Sequence, residues 1–398
     1  MTKTALSSAE TMALFEQHVI GNYTRYPVCL VRGEGSHLWD AEGRRYLDFF
    51  PGWGCNLLGH CPPAVVDAVR EQVGQLIHVP NTWYTLPQGL LAKALSERSF
   101  GGQCFFCNSG AEANEAAIKL ARLFGHPKRY KIITMLGSFH GRTMGALTAT
   151  AQPKYHQGVE PLLPGFSYAP FGDLKEVEKL IHAETCAIMV EPIQGEGGIR
   201  IPPAGYLEGL RALADEHKLL LIFDEVQSGM GRTGKWFAYQ HTGIEPDIMT
   251  LAKSLAGGVA AGALVAKKPI ASLLKPGTHA ATFGGNPIAC CAALAYIEAV
   301  EKGNYLARAV EIGKQFKAWF ESLRSRCPLI RVVRVQGVMI GIELNQDGTP
   351  HVKKCLERGL LINCTHSTVL RLLPAMNLTD QELAEGCTIL EQVLLEPL

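Results

Sequence analysis

The stretch LLLIFDEVQSGMGRTG, from Leu219 to Gly234, decides the fold class. Its first five residues are all apolar, and a short apolar run of this kind predicts a β-strand that is buried on both faces, as in a parallel sheet. Asp224 and Glu225 follow at once, with no turn residue between them and the strand. Two carboxylates at the edge of a protein core need partners or a function, because an unpaired buried charge is strongly unfavourable.

Other apolar runs alternate with amphipathic helical patterns between about residues 63 and 266. This alternation predicts an α/β domain in which helices cover both faces of a mostly parallel sheet. Helices are predicted at residues 111–124 and 206–217. Besides LLLIF, the predicted strands are QCFFC (103–107), KIITM (131–135), CAIMV (186–190), DIMTL (247–251) and GALVA (262–266).

The two ends of the chain are predicted to form a second, smaller α/β domain. The N-terminal end has a helical pattern at residues 8–20 and a two-stranded hairpin pattern at 30–49. Towards the C-terminus, an N-cap and N1 pair, Asn286-Pro287, begins a long helix. The strand patterns of residues 332–344 and 359–364 follow it.

These patterns predict three segments of the chain. Residues 1–46 and 286–398 together form the small domain, and residues 47–285 form the large one. A chain of 398 residues is long enough for this division.

Composition excludes several classes of function. The 38 basic and 37 acidic residues leave a net charge of +1, and a protein that binds nucleic acid or a membrane surface normally has a one-sided charge pattern. The longest run of small apolar residues, Ser254 to Ala266, is too short to span a bilayer. The first residues lack the apolar core of a secretory signal, so a cytoplasmic protein is expected.

The twelve cysteines follow no repeated spacing, and we expect them to be reduced and mostly buried. Cys104 and Cys107 form a C-x-x-C pair, which can be a redox or zinc motif. No second C-x-x-C follows, and QCFFC has the pattern of a short buried strand. No metal site is therefore predicted.

Polar and charged groups follow five of the predicted strands. They are Asn108-Ser109-Gly110, the segment from Gly137 to Arg142, the segment from Glu191 to Glu196, the Asp224-Glu225 pair and Lys253-Ser254. In open α/β sheets, ligands bind beyond the carboxyl ends of the strands. One acidic strand end is usually a solvated loop, but five such ends together favour a binding site.

Ser109 and Glu112 have the spacing of a capping box, which is the more common meaning of such a pair. The same helix start has free N–H groups and a positive dipole end, which can hold a phosphate. Gly110 removes the Cβ that would hinder a close approach.

Lys253 lies among apolar residues and glycines, a poor setting for a solvated lysine. For Lys253 or Asp224 alone, a salt bridge is about as good an interpretation as a functional role. Together with a phosphate-binding helix start, they fit pyridoxal 5'-phosphate, whose aldehyde needs a lysine and whose pyridine nitrogen needs a carboxylate. His140 could stack on the flat ring, although a lone histidine is more often structural. Arg142 could bind a substrate carboxylate.

Six motifs, in a fixed order along the chain, indicate a resemblance to a known family. The chain resembles the class III (ω-amino) aminotransferases that depend on pyridoxal 5'-phosphate, and within them the acetylornithine branch, from about Tyr23 to Pro374. The resemblance rests on NSGAEANEAAIKLAR, SFHGRTMGALTATAQPKYHQG, VEPIQGEGG, FDEVQSGMGRTG, TLAKSLAGG and TFGGNPIAC. It implies fold type I of these enzymes, with a mostly parallel seven-stranded sheet in the large domain and a small α/β domain built from both termini.

The resemblance also implies how the cofactor is held. Ser109, Gly110 and Ala111 would bind its phosphate. Thr282 would reach the phosphate in the neighbouring subunit, which implies a homodimer with shared active sites.

Around the cofactor ring, the resemblance assigns a role to each of five residues. Phe139 would lie over the ring with His140 beside it, and Val226 would support the ring. Asp224 would keep the pyridine nitrogen protonated, and Gln227 would reach the phenolic oxygen.

For the reaction itself, Lys253 would bond to the aldehyde and then move the substrate proton. Arg142 would hold the substrate carboxylate remote from the reacting amine, and Arg371 would receive the α-carboxylate of glutamate or 2-oxoglutarate. Glu196 would cover Arg371 while the ω-amino donor is bound. Tyr23 lies in NYTRYPV, a segment similar to that of the acetylornithine enzymes, and is assigned to the substrate site.

The implied activity is transfer of the ω-amino group of N-acetylornithine to 2-oxoglutarate, which gives N-acetylglutamate semialdehyde and glutamate, a step of arginine biosynthesis. The acyl group of the substrate is not decided by the sequence, because Trp53 and Trp83 could each either narrow the pocket for that group or belong to the core. Succinyldiaminopimelate, succinylornithine, ornithine and 4-aminobutyrate are alternative donors. A nucleotide-binding α/β module is the alternative outside the enzymes of this class, but it leaves Lys253 without a role and lacks a glycine-rich phosphate motif.

Overall fold

A computed structural model describes residues 6–397, which fold around a seven-stranded sheet in the order β4-β10-β9-β8-β7-β5-β6. Within it, β10 is antiparallel to both of its neighbours, and the other pairs are parallel. The strands are β1 (Leu30–Glu34), β2 (His37–Asp40), β3 (Arg45–Asp48), β4 (Gln103–Cys107), β5 (Lys131–Met135), β6 (Phe166–Ala169), β7 (Thr185–Val190), β8 (Leu220–Asp224), β9 (Ile248–Leu251), β10 (Gly262–Ala266), β11 (Ile330–Gln336), β12 (Met339–Leu344), β13 (Leu360–Leu361), β14 (Asn363–Thr365) and β15 (Val369–Leu372).

The helices that cover the large sheet confirm the predicted alternation, and the two predicted helices are α4 and α7. The helices are α1 (Ser8–His18), α2 (Pro63–Val73), α3 (Leu86–Arg98), α4 (Gly110–Gly125), α5 (Met144–Ala149), α6 (Leu174–Lys179), α7 (Tyr206–Glu216), α8 (Lys268–Ala271), α9 (Pro287–Lys302), α10 (Tyr305–Arg324), α11 (Thr349–Glu357) and α12 (Asp380–Leu395). Among residues 6–397, none of the helices is both long and apolar enough to cross a membrane.

The strand predicted from LLLIF is β8, which lies in the interior of the sheet between β7 and β9. Leu221 and Phe223 pack into the core on one face, and Leu220 and Ile222 pack into the core on the other. The prediction of a strand buried on both faces is therefore confirmed. The strand has the same length as the apolar run but is shifted by one residue, since it begins at Leu220 and includes Asp224.

The strand β6 has no counterpart among the strands predicted from the apolar runs. It lies at the edge of the sheet, has four residues, and three of them are only half-buried. An edge strand of this length lacks the continuous apolar run by which the interior strands were identified.

Two smaller four-stranded sheets contain the strands from the chain ends, in the orders β1-β2-β3-β13 and β11-β12-β15-β14. The predicted two-stranded hairpin at residues 30–49 is wrong, because that segment forms three antiparallel strands. The pattern at 359–364 also divides, since β13 pairs with β3 whereas β14 pairs with β15.

The pairing of β3 with β13 joins the N-terminal and C-terminal parts of the chain in one sheet. The three-segment division stays a prediction, and its first boundary, at residue 46, lies within β3. Residues 1–5 and 398, which this division includes, lie outside the described residues.

Helix boundaries agree closely with the sequence patterns. The side chain of Asn286 accepts a hydrogen bond from the backbone N–H of Ala289 at 2.9 Å, so α9 begins at Pro287 as predicted. The predicted helix at residues 8–20 ends two residues earlier, at His18.

Because β4, β5, β7, β8 and β9 run in the same direction, their carboxyl ends meet at one edge of the large sheet. The polar groups that follow these strands in the sequence are thereby brought together.

Candidate active site

A cavity of about 390 Å³ lies at that edge of the sheet, and segments after all five strands line it. Most of the predicted site residues line it, so the structure brings the ends of the five strands together around one cavity. Of the predicted residues, the cavity is lined by Ser109, Gly110, Ala111, Phe139, His140, Arg142, Glu196, Asp224, Val226, Gln227 and Lys253.

Asp224, the last residue of β8, is only 3% exposed. Its Oδ2 accepts a hydrogen bond from Asn114 Nδ2 at 2.7 Å and lies 2.7 Å from His140 Nδ1. Its Oδ1 accepts from the backbone N–H of Val226 at 3.0 Å. These contacts stabilise a carboxylate that would otherwise be unfavourable at this depth.

Asn114 was missed by the sequence analysis. Besides Asp224, its amide donates to the backbone carbonyl of His140 at 2.6 Å, and its Oδ1 accepts from the Thr250 hydroxyl at 2.7 Å. It therefore fixes both the acid and the imidazole. Its signal in the sequence is a polar residue on the buried face of α4, where Ala113, Ala117 and their neighbours are apolar.

Glu225, next to Asp224, points into the loop that follows β8. Its Oε2 accepts from Ser228 Oγ at 2.6 Å, and its Oε1 accepts from the backbone N–H of Tyr239 at 2.9 Å. Burial raises the pKa of Glu225 to about 7, against the effect of its hydrogen bonds.

Glu191 is a third buried acid, at the end of β7. It accepts from the backbone N–H groups of Phe139 at 3.1 Å and Gly195 at 3.2 Å. Burial raises the pKa of Glu191 to about 7, and the charge of Asp224 adds to this effect while His140 opposes it. Glu191 therefore connects the loop after β5 to the loop that carries Glu196.

The start of α4 leaves backbone donors at the cavity. Ser109 is the N-cap and accepts from the N–H of Glu112 at 3.2 Å. The predicted capping box is only half formed, because the Glu112 carboxylate accepts from the N–H of Asn108 at 2.6 Å, one residue before the N-cap. The N–H groups of Gly110 and Ala111, in the first turn, have no acceptor within the helix.

Gly110 is required by close packing against Val226. A Cβ at position 110 would lie 2.9 Å from Val226 Cγ1, which is too close unless Val226 or the helix start shifts. The helix start and the loop after β8 are therefore in direct contact at the wall of the cavity.

Lys253 follows β9, with Ala252 between them, and adopts a φ of +45°. A non-glycine residue in this left-handed region is strained by about 1–3 kcal/mol, and such strain is concentrated at functional sites. Burial lowers the pKa of Lys253, although the carboxylate of Glu196 opposes the shift. The amine is therefore closer to its neutral form than a surface lysine.

Arg371, on β15, is almost completely buried and forms an ion pair with Glu196, with 2.6 Å between Nη1 and Oε1. Its other nitrogens donate to Asn363 Oδ1 at 2.9 and 3.2 Å, and its guanidinium lies 4.9 Å from the ring centre of Phe50. Burial would raise the pKa of Glu196, but the charges of Arg371 and Lys253 outweigh it and lower the pKa.

Arg142 differs from Arg371 in that it is exposed and forms no ion pair within residues 6–397. Its guanidinium stacks on Tyr155, 3.9 Å from the ring centre, and lies 5.4 Å from that of Phe139. Its charge is therefore free to meet an anion.

Tyr23, Thr282 and Arg371 do not line the cavity. Tyr23 and Thr282 are exposed, whereas Arg371 is connected to the cavity through its ion pair with Glu196. Tyr23 contacts Trp53 edge-on, with 6.4 Å between the ring centres. Trp53 and Trp83 are 56% and 69% exposed and do not line the cavity either, so neither of them belongs to the core.

The residues of the cavity fit the predicted cofactor. Gln227 Oε1 and His140 Nε2 are buried and have no hydrogen-bond partner among the described residues, which leaves polar atoms for a bound group. The N–H groups at Gly110 and Ala111 suit a phosphate, and Asp224 and Lys253 offer a carboxylate and an amine on the same cavity.

Comparison with known proteins gives the family. The profile described as Aminotransferase class-III matches residues 20–394. The chain belongs to the class III aminotransferases. It is therefore a transaminase that depends on pyridoxal 5'-phosphate, and the nucleotide-binding alternative is wrong.

Three related proteins are informative. Acetylornithine aminotransferase of Caldanaerobacter subterraneus subsp. tengcongensis is 49% identical over 386 residues, which cover 96% of this chain and 98% of that protein. The crystal structure of acetylornithine aminotransferase from Elizabethkingia anophelis has a TM-score of 0.88 and 32% identity, with coverage of 98% and 100%. The structure of ornithine aminotransferase from Toxoplasma gondii crystallized with oxidized glutathione, which has PLP at partial occupancy in its active site, has a TM-score of 0.95 and 32% identity, with coverage of 98% and 95%.

Proposed function

We propose that this aminotransferase transfers the ω-amino group of N-acetylornithine to 2-oxoglutarate, giving N-acetylglutamate semialdehyde and glutamate, a step of arginine biosynthesis. The observation that carries the proposal is a pair of arginines: Arg142, which lines the cavity, and Arg371, which is paired with the cavity residue Glu196. Arg371 is buried and covered by Glu196, whereas Arg142 is exposed and has no carboxylate partner among the described residues. The 49% identity to an acetylornithine aminotransferase supports the choice of donor.

The two arginines account for two unlike substrates in one site. An ω-amino donor has its carboxylate far from the reacting amine, and we assign that carboxylate to Arg142. Glutamate and 2-oxoglutarate have a carboxylate beside the reacting carbon, and we assign it to Arg371 once Glu196 has moved away. Charge-assisted contacts of this kind contribute roughly 1.5–3 kcal/mol, enough to decide which amine reacts.

We assign the phosphate of the cofactor to Ser109, Gly110 and Ala111. This assignment is supported by the unsatisfied N–H groups at the start of α4 and by the positive end of its dipole.

We assign the cofactor ring to the residues between that helix start and β8. Phe139 and Val226 would lie against its two faces. Asp224, held by His140, would keep the pyridine nitrogen protonated, and Gln227 would reach the phenolic oxygen. The chemistry that bound pyridoxal 5'-phosphate supplies is an aldehyde for the amino group and an electron-withdrawing ring.

Lys253 is proposed as the catalytic base and acid. Burial lowers the pKa of Lys253, which favours the neutral amine that can accept a proton from the substrate carbon. Glu196 lines the same cavity, and the charges of Glu196 and Arg371 both act on Lys253, so opening of their ion pair would also change the charge around Lys253 Nζ.

We further propose a homodimer in which Thr282 completes the phosphate site of the other subunit. Thr282 is exposed and lies beside Phe283, which is 58% exposed, and the large apolar side chains of Ile77, Trp83 and Leu86 are exposed as well. Exposed apolar side chains in such numbers are typical of an interface. Sedimentation of the loaded protein tests this, and a fully active monomer would contradict it. A cytoplasmic location stays a prediction.

The decisive experiment is a panel of donors with 2-oxoglutarate as acceptor, in which kcat/KM is measured for each. N-acetylornithine is expected to be the best donor. If succinylornithine, succinyldiaminopimelate, ornithine or 4-aminobutyrate reacts faster, the substrate proposal fails while the family assignment stands. If pyruvate replaces 2-oxoglutarate without loss, the assignment of the acceptor fails.

A further inference from the structure

Arg232, in the loop after β8, is completely buried, and its guanidinium contacts no carboxylate among the described residues. Its Nη1 donates to the backbone carbonyls of Val338 (3.2 Å), Leu373 (2.9 Å) and Pro374 (2.8 Å), and its Nη2 donates to that of Gly54 (2.9 Å). Burial lowers the pKa of Arg232 to about 10, so the side chain is still charged at neutral pH. Four carbonyl dipoles therefore take the place of a counter-ion.

The carbonyl of Gly54 connects Arg232 to the lysine side of the active site. The same oxygen accepts a hydrogen bond from Ser254 Oγ at 2.8 Å, and Ser254 directly follows Lys253. Cys55, next to Gly54, lines the cavity. The guanidinium of Arg232 and the hydroxyl of Ser254 therefore both fix the carbonyl of Gly54, directly before the cavity residue Cys55.

The carbonyls of Leu373 and Pro374 connect Arg232 to the arginine side. β15 ends at Leu372, so these two residues come directly after the strand that carries Arg371. The backbone N–H of Leu373 also donates to the carbonyl of Phe49 at 2.7 Å, next to the Phe50 ring on which Arg371 stacks. A shift of this segment would therefore move Arg371.

We propose that Arg232 is a positioning residue that fixes Arg371 relative to Lys253, so that the α-carboxylate of glutamate or 2-oxoglutarate meets Arg371 while the reacting carbon lies at the lysine. The inference rests on the proposed function, in which Arg371 binds that carboxylate. Arg142 lies in the segment between β5 and α5, whose residues make no hydrogen bond to the Arg232 guanidinium. The half-reaction with the ω-amino donor therefore depends less on Arg232.

The test compares Arg232→Gln and Arg232→Lys in the cofactor-loaded, full-length protein. The first readout is the dissociation constant of 2-oxoglutarate by calorimetry, because this keto acid binds the aldehyde form without reacting. Arg232→Gln is expected to weaken binding about tenfold or more, since several contacts to a charged group are lost. Arg232→Lys, which keeps the charge and part of the contacts, is expected to restore binding in part.

The second readout is the rate of each half-reaction in single turnovers. In Arg232→Gln the rate with glutamate is expected to fall about tenfold more than the rate with N-acetylornithine. Equal losses in both half-reactions, or an unchanged dissociation constant of 2-oxoglutarate, would overturn the inference. If Arg232→Gln does not fold, the same split is required of Arg232→Lys, and its absence there is equally decisive.

The matched control is Arg211→Gln. Arg211, on α7, is also largely buried, but it is bonded to the carboxylates of Asp215 (2.7 Å) and Asp247 (2.8 Å), away from the cavity. It is expected to lower thermal stability without separating the two half-reactions. If the wild-type enzyme does not react with N-acetylornithine, the proposed function is contradicted and the role of Arg232 is not. If the wild type reacts but the Arg232 variants slow both half-reactions equally, only the role of Arg232 is contradicted.

Discussion

Asp224 and Glu225 are neighbours at the end of one strand, yet they lie in two different regions of the molecule. Both are almost completely buried. Asp224 faces the cavity and is held by Asn114 and His140. Glu225 faces the loop, where a hydroxyl and a backbone N–H satisfy it, and its pKa is raised to about 7.

The loop side, which contains Glu225, and the cavity side, which contains Asp224, differ in whether their buried polar atoms have hydrogen-bond partners. On the loop side, each oxygen of Glu225 has a partner within the chain. On the cavity side, Gln227 Oε1 and His140 Nε2 have none among the described residues, and Lys253 is held at a φ of +45°. Unsatisfied polar atoms and backbone strain reduce stability, so they are expected where a ligand later supplies the missing contacts.

The largest effect that this comparison predicts is at Lys253. Lys253→Ala should reduce turnover by about 10⁴-fold, because no amine remains to move the proton. Lys253→Gly should be equally inactive, but more stable than the alanine variant by about 1 kcal/mol, because glycine adopts a positive φ without strain. Steady-state turnover and urea unfolding of the cofactor-free proteins measure the two effects.

Lys267→Ala is the control for this pair of variants. Lys267 forms an ion pair with Asp247 at 3.0 Å and does not line the cavity, so its loss should leave turnover unchanged. Near-normal turnover in Lys253→Ala would contradict the catalytic assignment, and equal stability of the alanine and glycine variants would contradict the strain argument.

The second prediction compares the replacement of Asp224 with the replacement of Glu225. Asp224→Ala should reduce turnover at least about 100-fold, since the charge that keeps the ring nitrogen protonated is lost. Glu225→Gln should keep most of the turnover, because its oxygens contact only the loop. The two variants are compared by kcat and by the absorbance spectrum of the bound cofactor. A similar loss in both, or wild-type activity in Asp224→Ala, would remove the distinction between the two sides.

How much of this site could be predicted from the sequence depends on how far apart in the chain the contacting residues lie. The β8 strand, Asp224 and Lys253 were recognisable because each lies next to an apolar run that marks a strand end. Asn114 was missed, since its importance comes from contacts to residues 26 and 110 positions away. Local periodicity does not contain such contacts.

The pairing of Glu196 with Arg371 spans 175 residues and was predicted through the family resemblance alone. Arg232 gave no signal at all, because its partners are backbone carbonyls, which every residue has. Among the strands, β6 was missed since it is a short, half-buried edge, and β15 was missed since it has only four residues and contains Arg371. The interior strands of the large sheet and their ends are therefore predictable here, whereas long-range polar contacts are not.

The third prediction concerns the ion pair of Glu196 and Arg371, which lies on the cavity side but is internally satisfied. Glu196→Ala should raise the rate of the glutamate half-reaction relative to that with N-acetylornithine by about tenfold, because Arg371 is always free for an α-carboxylate. Arg142→Ala should weaken the binding of the acetylornithine carboxylate. Single-turnover absorbance changes with each amino acid measure the ratio. An unchanged ratio in Glu196→Ala would show that this ion pair does not select between substrates.

The smallest expected effect is a pH dependence of stability from the loop side. The folded protein raises the pKa of Glu225 from 4.5 to about 7, so between these values the folded state binds more protons than the unfolded state. The contribution of Glu225 is therefore complete below about pH 4.5 and is lost as the pH rises through about 7. The Glu225→Gln side chain cannot titrate. This variant should therefore show a flatter decline of unfolding free energy between pH 5 and about 8 than the wild type, as measured by urea unfolding of the cofactor-free proteins.

Glu191→Gln should flatten the decline over the same pH range, since the pKa of Glu191 is also raised to about 7. Glu191 binds the loops of Phe139 and Glu196, however, so its variant alone should also change the absorbance of the bound cofactor. If both variants follow the wild-type decline, the buried acids do not carry this pH dependence, and if Glu225→Gln alters the cofactor spectrum, the loop is not separate from the site.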